Sequence, residues 1–265
     1  MGKERIFSIF PFLNAMSAET IKAPPTDLSV YPFYNTYYVT YIQDTLSYVF
    51  SSGSSVTSVI TNKNVKRVVS SQAKDIITQY EIAIVGRSNS GKSSLINALL
   101  QEQVAIPSKT PGKTQQLIFH TLNAPPPLNF TLVDAPGYGY AEAPDMEMEK
   151  WKNITQEYFC NATHLKSTIV LIDSRRGIMK SDEILFEFLN EYRRINTIVL
   201  TKSDCLKPGE LKNQMIKVAH VAAKYPRTFG TVFATSSKLE YGIKELRMYL
   251  LFAITNPEAF EPASK

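Results

Sequence analysis

Gly86 to Ser93 reads GRSNSGKS, with the spacing G-x-x-x-x-G-K-S. Two glycines, a lysine and a hydroxyl at those intervals suit one task, the cradling of a phosphate chain. A strand before such a loop and a helix after it would aim backbone N–H groups, and the positive end of the helix dipole, at one point. Gly86 and Gly91 leave room for the backbone to approach phosphate. Lys92 would reach the β- and γ-phosphates, and the Ser93 hydroxyl would ligate Mg²⁺. The flanks agree. EIAIVG (81–86) reads as a buried strand, and KSSLINALL places Leu95, Ile96, Leu99 and Leu100 on one helical face. The alternative, a Gly/Ser turn that binds nothing, does not account for a full motif between strand and helix.

Three further stretches could complete a site. LVDAPGYGY contains Asp134, Ala135, Pro136 and Gly137 in a D-x-x-G pattern. Its Asp can hold Mg²⁺ through water, and its Gly N–H can meet a γ-phosphate. LTKSDCL carries Thr201, Lys202, Ser203 and Asp204, a [N/T]-K-x-D pattern. A carboxylate there accepts from both the N1–H and the 2-amino group of guanine. Adenine lacks both donors, so a buried Asp204 would be unpaired against it. The stem of Lys202 would pack over the base. TSSKLEYGIKEL follows, with Ser236, Ser237 and Lys238 placed for the base edge. Loop, D-x-x-G, T-K-x-D and S-S-K in that order predict a guanine nucleotide, GTP or GDP. VAIPSKTPGKTQQL should be the first switch, where Thr110 and Thr114 are both available to bind Mg²⁺ only when the γ-phosphate is present.

These segments need a scaffold that brings strand ends together. LNFTLVD (128–134), STIVLID (167–173), NTIVLT (196–201) and GTVFAT (230–235) read as buried strands. Helical patterns alternate with them, including SDEILFEFLNEYRR with Ser181 as its expected N-cap. That alternation predicts an α/β fold, a mostly parallel sheet with helices on both faces. QLIFHTL (116–122) comes before LNFTLVD across a proline-containing loop, which predicts a hairpin and one antiparallel edge strand. Ligands of such sheets bind at the carboxyl ends of the strands.

The chain of 265 residues is 44% hydrophobic, enough for one sizeable core. Its formal charge of +5 permits a nucleic-acid partner without requiring one. Two cysteines exclude a disulfide framework, and three scattered histidines show no ligand spacing. No apolar run reaches transmembrane length. Residues 1–76 differ from the rest. They are tyrosine-rich and then low in complexity (SSGSSVTSVITN), and they read as an N-terminal extension, targeting or disordered. The expected organisation is that extension, a nucleotide-binding domain at 77–257, and a tail at 258–265.

GRSNSGKSSLINALL, TPGKTQ, DAPGYGYA, LIDSRRG, TKSD and SSKLEYGIKEL together resemble the YihA/EngB family of GTPases, within the TrmE-Era-EngA-EngB-septin-like superfamily. The resemblance covers residues 79–253. It implies a Ras-like P-loop domain with a six-stranded sheet, GTP hydrolysis, and a role in assembly of the ribosomal large subunit. It implies Mg²⁺ ligation by Ser93, Thr114 and Asp134, with Lys92, Thr114 and Gly137 serving the reaction. Nucleotide contacts are implied for Gly86, Arg87, Ser88, Asn89, Ser90, Gly91, Lys92, Ser93 and Ser94. They extend to Gly112, Lys113, Thr114, Gln115 and Gln116, to 134–137, to Thr201, Lys202, Ser203 and Asp204, and to Ser236, Ser237 and Lys238. The long leader resembles that of eukaryotic organellar members, so the mitochondrial matrix is the expected compartment and the cytoplasm the alternative. A monomer is expected.

Two positions bear on the rate. Many GTPases place a water-orienting glutamine after D-x-x-G, and here Tyr138 stands there. Slow intrinsic hydrolysis is therefore expected, completed by a partner or a cation. Asn89 is where related GTPases hold potassium, and it also suits a plain left-handed turn. Lys109, Lys113, Arg175 and Arg176 are candidate RNA contacts, or ordinary solvated charge. A nucleotide-gated scaffold with negligible hydrolysis is the competing reading. A prenylated signalling GTPase is disfavoured by the C-terminal EAFEPASK, which has no lipidated cysteine.

Overall fold

The computed structural model describes Phe50, the backbone of residues 54–61, and residues 80–105, 116–122, 124, 128–138, 151 and 155–255. Seven strands form one sheet: β1 (Ser54–Thr61), β2 (Tyr80–Gly86), β3 (Gln116–Leu122), β4 (Phe130–Asp134), β5 (Leu165–Asp173), β6 (Asn196–Thr201) and β7 (Thr228–Ala234). Their spatial order is β1-β3-β4-β2-β5-β6-β7. β4, β2, β5, β6 and β7 run parallel, while β3 is antiparallel to β4 and β1 antiparallel to β3.

The parallel strands are apolar on both faces because helices cover both. α1 (Lys92–Leu100) and α4 (Ile243–Thr255) pack on one side, where Leu95, Leu99, Leu246 and Leu250 meet Ile82, Ile84 and Leu171. α2 (Lys180–Glu191), α3 (Pro208–Ala222) and the helical residues 155–161 pack on the other, where Leu185, Phe186, Met215 and Phe159 meet Ala83, Val170 and Ile198. Each fully buried aliphatic or aromatic side chain contributes about 1.5–3 kcal/mol, so the platform under the strand ends is firm.

The mostly parallel sheet with helices on both faces stands as read, and so does the β3–β4 hairpin. Three details differ. The sheet has seven strands, because residues of the leader add β1 along β3, with Val59 opposite Ile118 and Thr61 opposite Gln116. The antiparallel β3 is therefore covered, and β1 is the edge. Phe50 also belongs to the core: it is 2% exposed, meets Phe130 edge-on at 6.1 Å, and lies 5.1 Å below the Arg247 guanidinium. Part of the segment read as an extension up to residue 76 thus packs as domain. Finally, α2 starts two residues before Ser181 would place it. Its N-cap is Met179, whose N–H donates to the Asp182 carboxylate at 2.8 Å. The 3-residue step from Met179 to Asp182 fits this reciprocal cap better than Ser181 does.

Candidate functional site

β2 hands the chain to the phosphate-binding loop at Gly86, and α1 begins at Lys92. Asn89 (φ 64°) and Gly91 (φ 95°) are both left-handed, a conformation that turns neighbouring N–H groups toward one side. Gly91 is the N-cap of α1, with no side-chain hydrogen bond closing the helix start. An uncapped, dipole-positive helix end at the mouth of a sheet is a fit for phosphate. Ser93 lies in its first turn, partly exposed.

Lys92 Nζ is ion-paired with Asp134 Oδ1, and both side chains are largely buried. Asp134 ends β4 opposite Ile84 of β2, so sheet register alone delivers the carboxylate to the loop. One hard carboxylate and one hydroxyl, completed by substrate phosphates, suit Mg²⁺. Among the described residues, no cluster of three or more His, Cys, Asp or Glu side chains could hold a metal by itself. His120, on β3 near these charges, has its pKa lowered by burial, with Asp134 opposing the shift and Lys92 adding to it.

The base-reading segment is tied directly to the phosphate loop. Thr201 Oγ1 donates to the Ser90 carbonyl at 2.5 Å. Lys202 Nζ donates to the Asn89 carbonyl at 2.5 Å and to Asp173 Oδ2 at 2.9 Å. Ser203 N–H donates to the Thr235 carbonyl at 3.1 Å, which joins the third loop. There Ser236 and Tyr241 exchange backbone hydrogen bonds at 2.9 and 3.1 Å, with Ser237 half-buried and Lys238 exposed between them. Asp204 lies on a 3₁₀ turn, Ser203–Cys205, with an exposed side chain. The carboxylate is thus at the rim, not buried as the sequence argument supposed, because a turn rather than a strand carries it.

Asp173 anchors this arrangement, and the motifs did not single it out. Burial pushes its carboxyl up. Hydrogen bonds from Arg175 and Lys202 outweigh that and hold it well below the usual carboxylate range. Arg175 is held in turn, through Nε at 2.9 Å and Nη2 at 2.7 Å, and both Arg175 and Arg176 are exposed. Of the expected RNA contacts, both arginines are therefore at the surface, Arg175 with its guanidinium also paired with Asp173.

Arg87 and Tyr138 both turn their side chains inward. Arg87 turns its guanidinium away from the loop: Nη2 donates to the Gly177 carbonyl at 3.0 Å, and Nε lies 3.2 Å from Asp182. Only its backbone faces the phosphate side. Tyr138 is 2% exposed, and its hydroxyl donates to Asp182 Oδ1 at 2.9 Å. Burial, then the Asp182 charge, raises its pKa well above 10.0. It is a core residue and has no path to orient water. Asn89 is accounted for by its left-handed turn. Lys109, Thr110, Gly112, Lys113, Thr114 and Gln115 lie outside the described residues, while Ser88 is half-buried at the loop and Gln116 opens β3.

Comparison with known proteins agrees with this geometry. A family model described as 50S ribosome-binding GTPase matches residues 81–202. The probable GTP-binding protein EngB of Bartonella quintana is 42% identical over 183 residues, spanning 66% of this chain and 84% of that one. The corresponding protein of Bradyrhizobium diazoefficiens is 42% identical over 168 residues, spanning 63% and 76%. Two solved structures share the fold. One is a probable GTP-binding protein EngB, with TM-score 0.51 and 22% identity over 66% of this chain and 99% of that one. The other is a variant of Aquifex aeolicus Era bound to GDP and AlF₄⁻, with TM-score 0.54 and 20% identity over 71% and 59%. The phosphate loop, the D-x-x-G turn and the first two residues of T-K-x-D, Thr201 and Lys202, fall within the stretch matched by the family model, and the chain belongs to the EngB family of GTPases.

Proposed function

We propose that this GTPase is a switch that assists assembly of the ribosomal large subunit, acting in the mitochondrial matrix. The observation that carries the reading is the joining of three nucleotide segments at one set of strand ends: Lys92 with Asp134, Thr201 with Ser90, and Lys202 with Asn89. Lys92 places positive charge where the β- and γ-phosphates would lie. Ser93 and Asp134 would hold Mg²⁺, which neutralises charge developing on the transferred phosphoryl group. Gly137 offers its N–H to the γ-phosphate. Asp204 accepts from guanine, and Ser236, Ser237 and Lys238 border the base. Thr114 would close the site when the γ-phosphate is present. A potassium ion at Asn89 is left out of the proposal, since the turn explains that residue.

The ribosomal partner is supported by the description of the matched family, and by Arg176 exposed beside the strand ends. The compartment is supported by the leader's resemblance to organellar members. The test is binding to purified mitochondrial large subunits. Association should be stronger with a GTP analogue than with GDP, and should weaken as salt rises because lysine and arginine contacts to phosphate carry it. Lys92→Ala and Ser93→Ala should lose the nucleotide dependence while remaining folded. Association indifferent to both nucleotide and salt would overturn the switch reading.

A further inference from the structure

Gly137 sits between two anchored neighbours. The Pro136 carbonyl accepts from Trp151 Nε1 at 2.8 Å. Tyr138 is bridged to the phosphate loop in both directions: Ser88 N–H donates to its carbonyl at 2.7 Å, and its own N–H donates to the Gly86 carbonyl at 3.3 Å. The contact is close. A Cβ on Gly137 would come within 3.1 Å of Ser88 Oγ and 3.3 Å of the Ser88 backbone. The Tyr138 side chain then reaches through the core to Asp182, which is fully buried. Asp182 gathers three partners: the Tyr138 hydroxyl, the Met179 N–H at the start of α2, and Arg87 of the phosphate loop. Arg87 also bonds the Gly177 carbonyl, in the turn that carries Arg175 and Arg176.

A buried carboxylate with three partners is costly unless every group stays in place. It therefore ties the phosphate loop, the D-x-x-G turn and the start of α2 into one rigid unit. A water-orienting glutamine would need a mobile, solvent-facing side chain at position 138. This chain has instead turned that side chain inward.

We propose that Tyr138, acting through Asp182 and Arg87, is a positioning residue that presets the Gly137 N–H for the γ-phosphate. The triphosphate then meets an amide already in place, and the reorganisation that hydrolysis would otherwise require is avoided. The inference rests on the GTPase reading above and concerns the same site. It places the moving part of the switch elsewhere than Gly137.

The test uses the full chain and the variant Tyr138→Phe, which removes one hydroxyl and keeps the ring among Trp151 and its neighbours. The variant should keep GDP affinity, while GTP-analogue affinity and kcat fall about tenfold, as the loss of one buried hydrogen bond allows. A purely structural role would move GDP and GTP analogue together. Equal losses for the two nucleotides, or no loss for either, would overturn the proposal. Hydrogen exchange in the unaltered protein provides a second measurement that does not depend on the variant folding. The Ser88 and Tyr138 amides should exchange slowly with GDP bound, as with the analogue. Fast exchange in the GDP state would refute a preset clamp. If the unaltered protein failed to bind GTP at all, the GTPase reading itself would fall. A normal wild type beside an indifferent Tyr138→Phe sinks only this inference.

Discussion

Asp204 occupies an exposed turn at the rim of the site, so its power to choose guanine comes from being covered by the base it reads. Guanine offers two donors to the carboxylate. Xanthine replaces the 2-amino donor with a carbonyl, which an amide NH₂ can meet and a carboxylate repels. Asp204→Asn should therefore weaken GTP by about 2–5 kcal/mol and favour xanthosine triphosphate. Competition binding with the two triphosphates measures it, and a mutant that still prefers guanine would show that T-K-S-D does not read the base. Lys202 works differently from Asp204. Its ammonium is spent on the Asn89 carbonyl and Asp173, so it supports the site by stretching across it.

Among the elements, β1 shows what a single strand at an edge can hide. Alternate N–H groups of an edge strand face its neighbour and solvent. Val59→Pro and Ile60→Pro, made separately, should therefore differ. The one whose N–H faces β3 should lose about 1–3 kcal/mol in chemical denaturation, and the other should lose little. Equal tolerance of both would argue that β1 does not pair there. β2, β4, β5 and β6 were legible because burial on both faces leaves a continuous apolar signature. β1 was not, since SSVTSVIT has neither the apolar run nor the clean alternation that marks a strand, and its pairing runs through backbone. The site divides in the same way. Glycines, Lys92, Ser93, Asp134 and T-K-S-D announce themselves by spacing. Asp173 and Asp182 are single carboxylates, and each joins a near partner, Arg175 or Met179, to a distant one, 29 residues away for Lys202 and 44 for Tyr138. No local pattern encodes such a pairing. The start of α2 was misplaced for a related reason: Ser181 is a good capping residue, but Asp182 reaches back to Met179 and wins.

For the whole molecule, the expected compartment can be checked by tagging the chain at its C-terminus and comparing it with a version lacking residues 1–49. The full chain should collect in mitochondria, and the shortened one should remain outside while still binding GDP. Identical distributions would remove the leader from any address. Where the cut is made decides whether that experiment can be interpreted. A boundary at residue 76 looks natural on paper and keeps every nucleotide motif. It would also remove the Phe50 ring that lies between Phe130 and Arg247, leaving a hole of the kind that costs about 3–5 kcal/mol, and would strip β3 of its covering strand. Such a protein would change compartment, aggregate or be degraded, and all three would look alike under a microscope. Trimming before Phe50 puts the question of an address to the leader alone and leaves the parcel whole.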